Sequence, residues 1–62
     1  MAESVLVVED DRELREFLVE VLESGGYAVS TAVAAEPALR ELEHRRDIDL
    51  VLSDLVLPGS DG

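Results

Sequence analysis

Val5-Leu6-Val7-Val8-Glu9-Asp10-Asp11 is the stretch that decides the fold. Four apolar residues, three of them β-branched, stop abruptly at three consecutive acids. A short run without in-out alternation marks a strand covered on both faces, the usual condition of a strand in a parallel sheet. Immediately downstream, Leu14, Phe17, Leu18, Val21 and Leu22 recur at helical spacing, with Glu13, Arg15, Glu16 and Glu20 on the other side. Gly25-Gly26 ends that helix, because glycine enters the left-handed cap conformation at little cost.

The same strand-then-helix unit follows. Tyr27-Ala28-Val29-Ser30-Thr31 is a second strand, less apolar than the first and better suited to a sheet edge. Pro37 fits the first turn of a helix, where no amide hydrogen is missed, and Ala38, Leu39 and Leu42 form its apolar stripe. Glu36 with Arg40, and Glu41 with Arg45, have the favourable four-residue spacing, and His44 reads as a surface residue of this helix. Ile48-Asp49-Leu50-Val51-Leu52-Ser53 is a third strand ending at Asp54, and residues 55–62 read as the following loop. Strands are thus expected at about 4–9, 27–32 and 48–53, and helices at about 11–24 and 35–46.

The β-α-β-α-β order restricts the topology. Each crossover between parallel strands should be right-handed, so strand order 1-2-3 would put both helices on one sheet face, whereas order 2-1-3 puts one on each. The first and third strands lack alternation and look covered on both sides, which favours 2-1-3. The chain then reverses direction between strands one and three. Ligands of open parallel sheets bind beyond the carboxyl ends of the strands at such a reversal. Glu9, Asp10 and Asp54 are the residues at those two ends. Three carboxylates brought together repel, and protonation or a hard cation with oxygen ligands relieves them. Mg²⁺ suits the second remedy, since it commonly takes one or two carboxylates, keeps waters and accepts phosphate oxygens. The plainer reading is that Asp10 or Asp11 merely caps the first helix, with Asp10 and Glu13 resembling a capping box, and that Asp54 is a turn residue.

Composition narrows the partners. Fifteen acids against five arginines, with no lysine, give a formal charge of −10 over 62 residues, which opposes nucleic acid and anionic membrane and favours a cation or a basic partner. Glu16, Glu20, Glu23, Glu41 and Glu43 read as solvated helix faces. Without cysteine there is no disulfide framework and no thiolate metal site. No apolar run approaches the roughly 20 residues of a membrane span, and a soluble, cytoplasmic chain is expected. Sixty-two residues permit one small domain or part of one, and a chain this short buries only about 60% of its unfolded surface, which puts its stability alone in question.

On these residues the sequence resembles the receiver domain of two-component response regulators. Val5 to Asp11 is similar to that family's first strand and acidic pair, with glutamate in the first acidic position, and Asp49 to Gly62 is similar to its phosphorylation segment. The resemblance implies the βαβαβ half of a doubly wound, flavodoxin-like α/β fold. It implies that Asp54 accepts a phosphoryl group from a histidine kinase, and that Asp10, Asp54 and the main-chain carbonyl of Val56 hold Mg²⁺, with Glu9 acting through a metal-bound water. Pro58 and Gly59 would shape the loop carrying the Val56 carbonyl. A complete receiver continues through two further strands that supply a hydroxyl residue and a lysine, and neither position occurs in this sequence. The chain would be a signalling module rather than an enzyme.

Two other readings follow from the residues. In order 2-1-3 the apolar third strand is an edge, and an apolar edge invites self-association into a homo-oligomer, so an assembly module without phosphotransfer is the alternative function. A metal-dependent phosphatase with an aspartyl nucleophile would need two aspartates two apart after the first strand, which Glu9-Asp10-Asp11 does not supply. No glycine-rich phosphate loop follows the first strand either, which disfavours a nucleotide-binding domain.

Overall fold

Strand β1 (Ser4–Val8) is buried at every residue, from Ser4 through Val8. The computed structural model, which describes residues 2–53, places this strand between the other two. The elements run β1, α1 (Arg12–Ser24), β2 (Ala28–Ala32), α2 (Ala35–His44) and β3 (Leu50–Ser53). The sheet is parallel, in the order β2-β1-β3. Val8 is in register with Ala32 on one side and with Ser53 on the other, so the carboxyl ends of all three strands lie level.

The core is built on β1. Leu6 and Val8 join Ala32 of β2 and Ala38 of α2 in one buried cluster, with Leu42 and Ile48 packed against it. Strand side chains alternate, so Val5 and Val7 face the opposite side of the sheet. Helix α1 packs on β1 and β2, as does α2. Fully burying a valine or leucine contributes about 1.5–3 kcal/mol, and Leu6, Val5 and Val7 are the largest side chains wholly removed from solvent.

The two helices are secured differently. Asp11 caps α1, its carboxylate accepting the Leu14 amide hydrogen at 3.1 Å. The same helix closes on Gly26, whose φ of +93° requires glycine. Helix α2 begins at Ala34 without a side-chain cap, and it stops at His44. The Glu36–Arg40 and Glu41–Arg45 pairs form at 3.8 and 3.7 Å. His44 is exposed, with Nδ1 2.8 Å from the Arg40 carbonyl.

Two sequence expectations need correction. The third strand looked covered on both sides, yet all four residues of β3 are exposed, Leu50 at 57%. Both helices sit over β1 and β2, which leaves β3 without a covering layer among the described residues. The apolar stripe of α1 is only partly used as well. Leu14, Phe17 and Val21 are exposed, Phe17 at 60%, because the helix lies on a narrow sheet.

The amino ends of β1 and β3 are tied by reciprocal polar contacts. The Ser4 amide donates to Asp49 Oδ2 at 2.8 Å, and the Asp49 amide donates to the Ser4 carbonyl at 2.8 Å. Arg45 Nη1 donates to the Ser30 hydroxyl, and Arg45 also grips Asp47 at 2.9 Å. That grip holds the Asp47 carboxyl below its ordinary range and raises the Arg45 guanidinium. Asp49→Ala leaves the buried Ser4 amide without its acceptor, and an unpaired buried donor costs about 1–3 kcal/mol. Urea unfolding should show a lower midpoint, with faster hydrogen exchange at Ser4.

Candidate functional site

Glu9 is the first residue past β1, and it stays buried, at 4% exposure. Three contacts hold it. Its amide continues the sheet by donating to the Ala32 carbonyl at 3.0 Å. Its Oε2 accepts the Asp11 amide at 3.0 Å, and its carbonyl accepts Arg15 Nη1 at 2.9 Å. The second carboxylate oxygen, Oε1, is buried and has no hydrogen-bond partner among the described residues. An unmatched carboxylate oxygen is costly in a buried position and calls for a compensating charge or donor.

The next two acids have separate surroundings. Asp10 is exposed at the turn between β1 and α1. Asp11 is the helix cap, so the Asp10–Glu13 capping box expected as the plain alternative does not form the cap; the cap lies one residue later. Capping therefore accounts for Asp11 and leaves Glu9 and Asp10 available for another role.

Across the sheet, Ser53 is the register partner of Val8 and the last described residue. Asp54 follows it in sequence, and Asp54, Val56, Pro58 and Gly59 lie outside the described residues. Among the described residues, no three histidine or acidic side chains gather closely enough to hold a metal ion. The buried Oε1 of Glu9 and the exposed Asp10 are nonetheless all-oxygen donors at the level carboxyl end of the sheet, a donor type that suits a hard divalent cation.

The sequence reading assigned Arg15 to the solvated side of α1. It is half-buried instead, folded back onto the Glu9 carbonyl. The available signal was an arginine in the first turns of a helix that starts directly after three acids.

The pattern of the response regulator receiver domain matches residues 5–62. The chain belongs to this family. It is 48% identical to response regulator protein FleR of Pseudomonas aeruginosa over 62 residues, which is 100% of this chain and 13% of that protein. It is 41% identical to transcriptional regulatory protein AfsQ1 of Streptomyces coelicolor over 59 residues, 95% of this chain and 26% of that protein. With response regulator receiver protein CpdR of Brucella abortus it shares 38% identity over 58 residues, 94% of this chain and 48% of that protein. The chain thus spans less than half the length of each of these relatives. No solved structure matches it. No helix among the described residues is long and apolar enough to cross a membrane.

The separate duties of the acids can be tested by paired substitution. Asp11→Ala should destabilise the fold by about 1 kcal/mol through loss of the cap. Asp10→Ala should leave the thermal midpoint nearly unchanged, because its carboxylate is not the cap. Circular dichroism melts of the two variants check this.

Proposed function

We propose that the chain is the phosphoacceptor part of a receiver domain acting in the cytoplasm, with Asp54 as the acceptor and a histidine kinase as the donor. The observation that carries this reading is the Oε1 of Glu9, buried and without a partner among the described residues, at the carboxyl end of β1, level with the end of the strand that precedes Asp54. Asp10, Asp54 and the Val56 carbonyl would hold Mg²⁺ directly, and Glu9 would act through a metal-bound water. When bound, the ion supplies positive charge opposite the phosphoryl oxygens.

The chain's own part in the transfer is simple. An Asp54 carboxylate oxygen attacks phosphorus in line. The new P–O bond forms as the P–N bond to the kinase imidazole breaks, and the imidazole leaves with the electron pair and takes up a proton. Glu9 and Asp10 keep the site anionic enough to retain a cation in the absence of the phosphoryl group.

Incubation with Mg²⁺ and a small phosphodonor such as phosphoramidate tests the assignment by intact mass. One added phosphoryl group is expected on the unaltered chain, and none on Asp54→Asn or in the presence of chelator. An unmodified mass under conditions that phosphorylate a complete receiver would overturn it.

A second reading is favoured by a specific observation, the exposed Leu50, Val51 and Leu52 of β3, the edge strand of the sheet among the described residues. In it the chain self-associates through this edge. Two copies closing about a two-fold axis would pair their β3 strands antiparallel, extending an otherwise parallel sheet across the junction. Sedimentation at micromolar concentration should give a dimer, and Val51→Lys, which places like charges at the junction, should give a monomer. A folded monomer of the unaltered chain would remove this reading and leave the phosphoacceptor assignment intact.

A further inference from the structure

Three groups fix the corner at which the chain leaves β1. The Glu9 amide is bonded to Ala32 of β2, and the Glu9 carboxylate is bonded to the Asp11 amide. The Glu9 carbonyl is bonded to Arg15 Nη1 at 2.9 Å. That carbonyl belongs to the peptide plane joining Glu9 to Asp10. Because a peptide unit is planar, fixing its oxygen fixes the amide on its other side and narrows the directions open to Asp10. Arg15 stands on the second turn of α1, so it ties the helix to this plane across the three-acid turn.

We infer that Arg15 is a positioning residue for the cation site, holding the Glu9–Asp10 peptide so that both carboxylates remain at the carboxyl end of the sheet. This rests on the proposal that the corner takes a divalent cation. A cation beside a cation site is paradoxical on charge alone, since Coulomb repulsion by a guanidinium lowers affinity for Mg²⁺. Its bond to a neutral carbonyl rather than to Glu9 or Asp10 carboxylate resolves the paradox: the guanidinium restrains the backbone and leaves the acids' negative charge unneutralised by a direct ion pair. Groups that orient metal ligands without touching the metal commonly change affinity by 10–100-fold when removed.

The two roles predict opposite signs. If Arg15 acted only as a charge, its removal would tighten Mg²⁺ binding, increasingly so at low salt. If it positions the peptide, removal weakens binding at any salt concentration. Arg15→Met keeps the apolar stem and helix propensity while deleting donor and charge, and Arg15→Lys keeps the charge with a single-point donor. Calorimetric Mg²⁺ titration of the 62-residue chain at low and moderate salt should show roughly tenfold weaker binding for Arg15→Met, the low end of that range, with partial recovery in Arg15→Lys. Without metal, hydrogen exchange at the Asp11 amide should accelerate in Arg15→Met, while exchange at Ala28, bonded to Glu3 at the opposite end of the sheet, stays unchanged.

Unchanged or tighter Mg²⁺ binding by Arg15→Met, or unchanged Asp11 exchange, overturns the positioning role. If the unaltered chain binds no Mg²⁺, the cation proposal itself falls, an outcome distinct from equal binding by both forms. Should Arg15→Met fail to fold, the Arg15→Lys titration decides: affinity equal to that of the unaltered chain despite loss of the planar donor overturns the inference, and reduced affinity with the charge retained supports it.

Discussion

Everything in this molecule depends on β1 being hydrogen-bonded on both sides and covered on both faces. Its neighbours supply two ladders, and its side chains supply most of the core. Where β1 ends, this double pairing has to be replaced. The Glu9 amide is still taken by β2, but its carbonyl is taken by Arg15 of α1 and its carboxylate by the start of that helix. The corner that holds the acids is therefore a handover from sheet bonding to helix bonding. Its geometry is set by the central strand and by the first turns of α1 together.

The topology was legible because its determinants are local and strong. An uninterrupted apolar run at Val5 to Val8, a polar-faced second strand and right-handed crossovers leave few arrangements, and the observed order β2-β1-β3 is the one they favour. The burial of β3 was not legible. Leu50-Val51-Leu52 has the same apolar character as Val5-Leu6-Val7-Val8, yet one strand is exposed and the other buried. Composition records what a strand can be packed against; it does not record whether a layer is present to do so. The same reason explains Phe17, which follows the helical stripe and remains mostly in solvent.

Within the acidic turn, residue type alone could not divide the work. Asp10 and Asp11 are identical side chains, and either can cap a helix. The division comes from helix register: with Leu14 as the third residue of α1, only the residue before Arg12 can reach its amide. Glu9 was recognisable as an acid at a strand end, but its burial arises from tertiary packing. The Arg15 contact is still less local, since it requires the helix to turn back over the strand end that precedes it. The place of Asp54 at a strand end was read from the strand order, its role and that of Val56 came from family resemblance, and these residues lie outside those described.

The two ends of the sheet treat polar groups in opposite ways. At the amino end, Ser4 and Asp49 satisfy one another, and Arg45 collects Ser30 and Asp47. These are closed contacts, sufficient in themselves and suited to holding β1 and β3 together. At the carboxyl end, Glu9 has one carboxylate oxygen matched and one without a partner among the described residues, in a buried position. A turn built only for stability would be better served by a residue without the second oxygen, since an unmatched buried acceptor costs free energy and contributes no packing. The leftover oxygen is a local departure from polar satisfaction among the described residues, and it falls at the strand end where parallel sheets bind their ligands.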